Sequence, residues 1–266
     1  MRAPEFFDNL HKLEERDYWN AGLLGNPAYS GLHRMGRDED MEVSISREGL
    51  LEKVRESISQ FFSGQTDDDR PKHLYLFSRD GGAGKSHTLR QMRRYCDEND
   101  MPFVEVWHED WHEGNVPENL PYLMGLMNTE KIAAFLECDH PWELYEQLHN
   151  VKGVFIIGSG HRPEHELQKV LEHFEVLDLE RDYPLSDAQL LDLLRQTMEK
   201  ITTGKEQIVG DDVLEEISRS TYSPGQALNA LGVCLAIYTY KAKKGEKYEI
   251  TANDARQWSY RNMQKD

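Results

Sequence analysis

A glycine-rich loop between a predicted strand and a predicted helix constrains this chain more than any other feature. The strand covers residues 73–78 (HLYLFS), the loop reads RDGGAGKS over residues 79–86, and the helix runs over about residues 86–97. In that context the turn aims successive backbone N–H groups and a helix N-terminus at one anion. Glycines at positions 81, 82 and 84 permit a close approach that a Cβ would obstruct. The sequence therefore predicts an α/β unit that carries an anion-binding turn.

Strands and helices continue to alternate after this loop. We predict strands at 102–107 (PFVEVW), 153–158 (GVFIIG) and 175–179, and helices over most of 117–150 and over 163–174, with IAAFLE within the first of these ambiguous. Strands that alternate with helices require right-handed crossovers and a parallel sheet. The predicted fold class is therefore a parallel-sheet α/β domain with helices on both faces, followed by a smaller all-helical domain.

The pattern changes to helices alone after Pro184. A residue that can open a helix precedes each apolar stretch, and these residues are Ser186, Asp211 or Asp212, Ser223 or Pro224, and Thr251. The chain therefore divides into an N-terminal arm (residues 1–42), an α/β domain that carries the glycine-rich loop (residues 43–183) and a helical domain (residues 184–266).

Charge and composition limit the partners and the compartment. The 266 residues include 48 acidic and 31 basic side chains, a net charge of −17, which argues against a protein that coats nucleic acid by itself. The basic run at 240–247 (YKAKKGEK) is either a local contact for a nucleic-acid backbone or a solvated helix end. The three cysteines form no CxxC pair, and no apolar run approaches the length of about 20 residues that spans a bilayer. We expect a cytoplasmic protein with no membrane contact.

The loop resembles the Walker A motif of P-loop NTPases, except that Arg79 replaces its first glycine. The order of elements over residues 43–260 resembles AAA+ ATPases, most closely the origin-recognition initiator, clamp-loader and transposition-regulator group. The resemblance implies bound ATP and Mg²⁺, with Lys85 on the β- and γ-phosphates and Ser86 as a ligand of the metal. The residues that it places at the nucleotide are Asp80, Gly81, Gly82, Ala83, Gly84, Lys85, Ser86 and His87.

The acidic residues of the Walker B motif have two candidate positions, because no run of four apolar residues followed by Asp-Glu occurs. IAAFLECD offers Glu137 and Asp139, at a spacing from Lys85 like that of the family. PFVEVWHED offers Glu109 and Asp110 at the end of a clearer strand. A third interpretation is that no competent Walker B motif exists and that hydrolysis is slow or absent.

Three further roles follow from the resemblance. Ser159 occupies the sensor 1 position at the end of GVFIIGS, and Gln226 stands where the lid usually presents an arginine. Arg162 and Arg181 are candidates for the arginine finger, because His173 replaces the usual arginine.

These features lead to one main functional interpretation and two alternatives. The first is an AAA+-type ATPase that acts as a nucleotide-dependent switch or assembly factor, through self-association or within a multi-protein complex in which DNA is a candidate partner. The second is a P-loop kinase of the nucleotide-kinase type. The third is a catalytically weak ATP-binding scaffold.

Overall fold

A computed structural model describes residues 13–24, 45, 47–64, 72–79, 82–107, 116–137, 152–160, 171, 174–203 and 208–263. The described helices are α1 (Glu15–Asn20), α2 (Glu48–Ser63), α3 (Lys85–Glu98), α4 (Val116–Leu126), α5 (Asp187–Ile201), α6 (Asp211–Arg219), α7 (Pro224–Lys243) and α8 (Ala252–Met263). The described strands are β1 (His73–Phe77), β2 (Phe103–Trp107), β3 (Ile132–Glu137), β4 (Val154–Gly160) and β5 (Phe174–Asp178). Two compact units result: Ser46–Pro184 is one, and Met1–Ile45 with Leu185–Asp266 is the other.

The described strands form a single five-stranded sheet in the order β2-β3-β4-β1-β5, and all pairs are parallel. β1 lies between β4 and β5, with Phe77 opposite both Gly160 and Asp178. β3 lies between β2 and β4, with Glu137 opposite Ser159. The carboxyl ends of the strands therefore meet at one edge of the sheet, which is where ligands bind in open α/β folds.

Side chains on both faces of the sheet are buried. Leu74 and Leu76 of β1 pack in a cluster with α2 and α3, whereas Tyr75 and Phe77 pack with Leu120 of α4. Alternate residues of a strand point to opposite faces, so a strand covered on both sides is apolar throughout. The predicted α/β fold class with helices on both faces of a parallel sheet is confirmed.

The stretch IAAFLE, which the sequence pattern leaves ambiguous, is a strand and divides the predicted helical region of residues 117–150. α4 ends at Leu126, and β3 begins at Ile132. Thr129 precedes β3 and resembles a helix cap in sequence. In the structure it caps no helix, because its hydroxyl donates to the carbonyl of Lys131 at 2.7 Å and accepts from the N–H of Lys131 at 3.2 Å, within a turn. The remainder of the predicted helical region, from residue 138 to residue 150, lies outside the described residues.

Lys131 ties the start of β3 to the end of α2. Its ammonium donates to the carbonyl oxygens of Phe61, Phe62 and Gly64 at 2.7, 3.2 and 2.5 Å. These carbonyls belong to the last turn of α2 and its C-cap, which have no helical partner of their own. A cation at this end of a helix also complements the helix dipole. The interaction fixes β3 against the helix that covers it.

Three helices of the helical unit begin at the caps that the sequence predicts. Ser186 caps α5 in a reciprocal capping box with Gln189, and Ser223 caps α7 with Pro224 behind it. Thr251 precedes α8, and its hydroxyl accepts from the backbone N–H of Asp254 at 3.3 Å. The cap predicted at Asp211 or Asp212 is wrong by one or two residues, because Gly210 holds that position. Both aspartates lie in the first turn instead, where their negative charges interact favourably with the positive end of the helix dipole.

The N-terminal segment packs within this helical unit. Tyr18 and Leu23 are buried in the same cluster as residues of α5, α6 and α7. The backbone of Leu24 bonds to the carbonyl of Ile201 at 2.7 Å, and the backbone of Thr203 bonds to Gly22 at 3.0 Å. None of the described helices is long and apolar enough to cross a membrane.

Candidate functional site

The glycine-rich loop follows β1 and leads directly into α3. Gly82 and Gly84 have φ angles of +79° and +97°, a region that side-chain-bearing residues rarely adopt. Gly84 is the N-cap of α3, and as a glycine it has no side chain that could cap the N–H groups of that helix end. These N–H groups and the helix dipole are the features that bind anions. Of the predicted loop residues, Asp80 and Gly81 lie outside the described part of the chain.

Lys85 is the first residue of α3, and its side chain is buried. Only 7% of the residue is exposed, and its ammonium donates to the hydroxyl of Ser78 at 2.7 Å. Ser78, fully buried, directly follows β1. The loop therefore folds back so that the ammonium of Lys85 reaches the end of β1.

Ser86 and Glu137 meet at this edge of the sheet. The hydroxyl of Ser86 donates a short hydrogen bond to Oε1 of Glu137, the last residue of β3. The two residues are 51 positions apart, so the sheet order brings them together. The structure thus joins the predicted metal ligand of the loop to one of the two candidate acidic positions.

The other candidate acids lie outside the described residues. Glu109 and Asp110 follow β2, an edge strand separated from β1 by β3 and β4. Each further strand adds about 4.8 Å across the sheet, so the end of β2 lies farther from β1 than Glu137 does. Asp139, two residues beyond Glu137, is also outside the described chain. Their roles stay predictions.

Ser159 lies on β4 between the two elements that meet at the site. It is opposite Leu76 of β1 on one side and opposite Glu137 of β3 on the other. Its hydroxyl is buried and has no hydrogen-bond partner among the described residues. A buried hydroxyl without a partner costs free energy, which marks it as a group that can bind a ligand. The sensor role remains a prediction, and this position is compatible with it.

Two residues outside the loop, Arg47 and Glu180, bond to its backbone. The sequence analysis did not identify either of them. The guanidinium of Arg47 donates to the carbonyl oxygens of Ala83, at 2.8 Å, and Leu179, at 2.9 Å. The backbone N–H of Arg79 donates to Oε2 of Glu180 at 3.3 Å. Burial lowers the pKa of Arg47 to about 10, against the opposing effect of the Glu180 charge. Arg47 thus remains a cation at neutral pH.

The remaining predicted site residues have local partners. His87 contacts Gln91 one turn further along α3, at 3.0 Å. Gln226 accepts a bond from the backbone N–H of Tyr222 at 3.0 Å, which engages its side chain at the start of α7. Arg181 is exposed and paired with Asp182 at 2.8 Å. Arg162 lies outside the described residues.

The basic run near the end of α7 has compensating partners. Lys241 pairs with Glu246 at 2.5 Å, Lys243 pairs with Asp17 at 2.8 Å, and Lys244 lies over the ring of Tyr240. These contacts favour the interpretation as a solvated helix end over a nucleic-acid contact.

No protein-family model and no curated protein sequence matches this chain. Among solved structures, C. elegans PCH-2 is similar with a TM-score of 0.55 and 13% identity, over 86% of this chain and 72% of that chain. A DNA replication initiation factor is similar with a TM-score of 0.46 and 10% identity, over 77% of this chain and 65% of that one. Drosophila ORC bound to DNA is similar with a TM-score of 0.45 and 12% identity, over 80% of this chain and 58% of that one. This chain thus covers less than two thirds of the length of the initiation factor and of the ORC chain.

The similarity to C. elegans PCH-2 supports the fold and nothing finer. It agrees with an all-parallel sheet in which β1 lies between β4 and β5. The chain therefore has an α/β fold like that of this structure.

Proposed function

We propose that this protein binds ATP in the loop at residues 80–86 and acts as a nucleotide-dependent switch or assembly factor. The observation that carries the proposal is the hydrogen bond between Ser86 of the loop and Glu137 of β3. It joins a glycine-rich anion-binding turn to a carboxylate at the ligand-binding edge of a parallel sheet. A glycine-rich turn with an incidental lysine would not require an acid at that point.

The binding step is electrostatic. The backbone N–H groups at the start of α3 and the ammonium of Lys85 attract the phosphate oxygens. Lys85 exchanges its bond to Ser78 for one to a phosphate, so the buried charge keeps a partner throughout. Ser159 supplies a hydroxyl with no other described partner at the same edge.

The residues present fit Mg²⁺, which prefers oxygen ligands and usually shares them with substrate phosphates. The hydroxyl of Ser86 and the carboxylate of Glu137 are such oxygens, and they are already in contact. Among the described residues no larger group of His, Cys, Asp or Glu could hold a metal ion. A bound Mg²⁺ would neutralise charge on the phosphates.

Hydrolysis requires a second carboxylate. Water adds to the γ-phosphorus, the bond to the β–γ bridging oxygen breaks, and a base accepts the proton of the water. Because the carboxylate of Glu137 contacts Ser86, the proposed metal ligand, we assign Glu137 to metal binding and not to the role of the base. Asp139 is then the candidate base. If Asp139 does not reach the water, the alternative of an ATP-binding scaffold with slow hydrolysis is favoured instead.

The wider role is proposed from the resemblance alone. We propose that residues 184–266 form the lid, and that self-association or a multi-protein complex reads the nucleotide state. With a net charge of −17 and a basic run that has acidic partners, any contact with DNA would depend on the assembly.

The acidic residues provide the sharpest test. We expect Glu137→Gln to weaken Mg²⁺-dependent ATP binding by about ten- to a hundredfold, since one charged hydrogen-bond partner is worth about 1.5–3 kcal/mol. Asp139→Asn should slow phosphate release while ATP affinity stays unchanged, and Glu109→Gln should change neither. Titration calorimetry and single-turnover phosphate release measure both quantities.

The same assays separate the candidate functions. Phosphate release supports the switch, binding without release supports the scaffold, and transfer of phosphate to nucleoside monophosphates would support the kinase instead. If Glu109→Gln abolishes turnover and Glu137→Gln leaves affinity and turnover unchanged, the assignment of β3 as the acidic strand is wrong.

A further inference from the structure

Arg47 joins two parts of the chain that lie far apart in sequence. It directly precedes α2, and its half-buried guanidinium donates to the carbonyl oxygens of Ala83 and Leu179. Ala83 lies in the anion-binding loop, 36 positions away, and Leu179 follows β5, 132 positions away. The planar guanidinium has donors fixed in a fork, so it sets the direction of both carbonyl groups at once.

The bond to Ala83 fixes more than one oxygen atom. In a planar trans peptide the C=O and the following N–H point in opposite directions. When the oxygen of Ala83 is held toward Arg47, the N–H of Gly84 must point away from Arg47. Gly84 has a φ of +97° and Gly82 a φ of +79°, and glycines accept both signs of φ. Without Arg47 this peptide is free to flip and to turn its carbonyl toward a bound anion.

A second contact ties the beginning of the loop to the same segment after β5. The N–H of Arg79 bonds to the carboxylate of Glu180, next to the Leu179 carbonyl that Arg47 binds. The Glu180 charge also favours the cationic form of Arg47. The loop is thus held at two points against one short segment, Leu179 with Glu180.

We propose that Arg47 is a positioning residue that keeps the Ala83–Gly84 peptide in the orientation that binds phosphate. This inference rests on the proposed ATP binding at the same loop. Arg47 itself does not touch the nucleotide in this account. Its effect is to raise the fraction of molecules whose loop is ready to bind, and apparent affinity scales with that fraction.

The test compares Mg²⁺–ATP affinity in four proteins: wild type, Arg47→Gln, Arg47→Lys and Arg55→Gln. Arg55 is an exposed arginine on α2, so it controls for loss of charge from the same helix. We expect Arg47→Gln to raise the dissociation constant about tenfold, which corresponds to a binding-competent loop in about one tenth of the molecules. Arg47→Lys should raise it nearly as much, because one ammonium lacks the fork that reaches both carbonyls. Arg55→Gln should leave it unchanged.

Urea unfolding of the ligand-free proteins separates positioning from stability. Affinities are corrected for the folded fraction, so a purely structural role for Arg47 would leave the corrected dissociation constant at the wild-type value and overturn the inference. Wild-type affinity in Arg47→Lys would also overturn it, because charge alone would then suffice. If Arg47→Gln does not fold, the Lys variant decides the question by itself.

Lys85→Ala distinguishes a failure of this inference from a failure of the proposed function. If wild type binds ATP and Lys85→Ala does not, while both Arg47 variants bind normally, only the positioning role is wrong. If wild type does not bind ATP, both proposals are overturned.

Discussion

At the scale of single residues, the contact between Lys85 and Ser78 offers a test of the ligand-free loop. The ammonium is buried and donates to a buried hydroxyl, and a buried charge that loses a hydrogen-bond partner is costly. We expect Ser78→Ala to lower the free energy of unfolding by about 1–2 kcal/mol without ATP. Saturating ATP should recover part of this loss, because a phosphate then replaces the hydroxyl as a partner. Urea unfolding with and without ATP measures both values.

Ser57→Ala is the matched control for Ser78→Ala. Ser57 is also buried, but its hydroxyl bonds within α2 to the carbonyl of Lys53 at 3.0 Å, away from the loop. The effect of this substitution should not depend on ATP. An equal loss for Ser78→Ala with and without ATP would show that Lys85 does not exchange Ser78 for a phosphate.

The sequence could identify the loop but not the contacts that complete the site. Gly82, Gly84, Lys85 and Ser86 are adjacent in the chain, so their pattern is visible locally. The pairing of Ser86 with Glu137 depends on the order of strands in the sheet, which no local pattern encodes. The sequence did not indicate that Arg47 contacts the loop, because an arginine at the start of an amphipathic helix is ordinarily a solvated residue.

At the scale of elements, β1, α3 and β4 could be predicted because each is a short apolar run or an amphipathic helix with clear boundaries. β3 could not, because the Ala, Leu and Glu residues of IAAFLE also favour a helix, whereas Val, Phe and Ile dominate β4. Thr129 added to the ambiguity, since a helix cap and a local turn use the same residue types. The three carbonyl contacts of Lys131 are tertiary and were invisible in the sequence.

At the scale of the whole molecule, the described units do not follow chain order. Met1–Ile45 belongs with Leu185–Asp266, and Ser46–Pro184 lies between them in sequence. A linear interpretation separates residues 1–42 as an arm, because hydrophobic patterns reveal which residues are buried but not against which partner. The core that contains Leu23 and residues of α5 and α7 is assembled from both ends of the chain.

Two adjacent leucines test this assembly. Leu23 is 0% exposed and Leu24 is 42% exposed, so they differ in burial and share sequence context. We expect Leu23→Ala to cost about 2–5 kcal/mol of unfolding free energy, the range for a leucine removed from a packed core. Leu24→Ala should cost less than about 0.5 kcal/mol, as is usual at a surface. Equal effects in urea unfolding would show that the N-terminal segment is not part of the helical core.

We propose that the loop at residues 80–86 binds ATP through Lys85. Titration calorimetry of Mg²⁺–ATP into wild type and Lys85→Ala, with circular dichroism as a check that both proteins are folded, tests it most directly. We predict saturable binding at one site in wild type and an affinity at least about tenfold lower in Lys85→Ala, since charged hydrogen bonds contribute about 1.5–3 kcal/mol. Equal ATP affinity in the two folded proteins would contradict the claim.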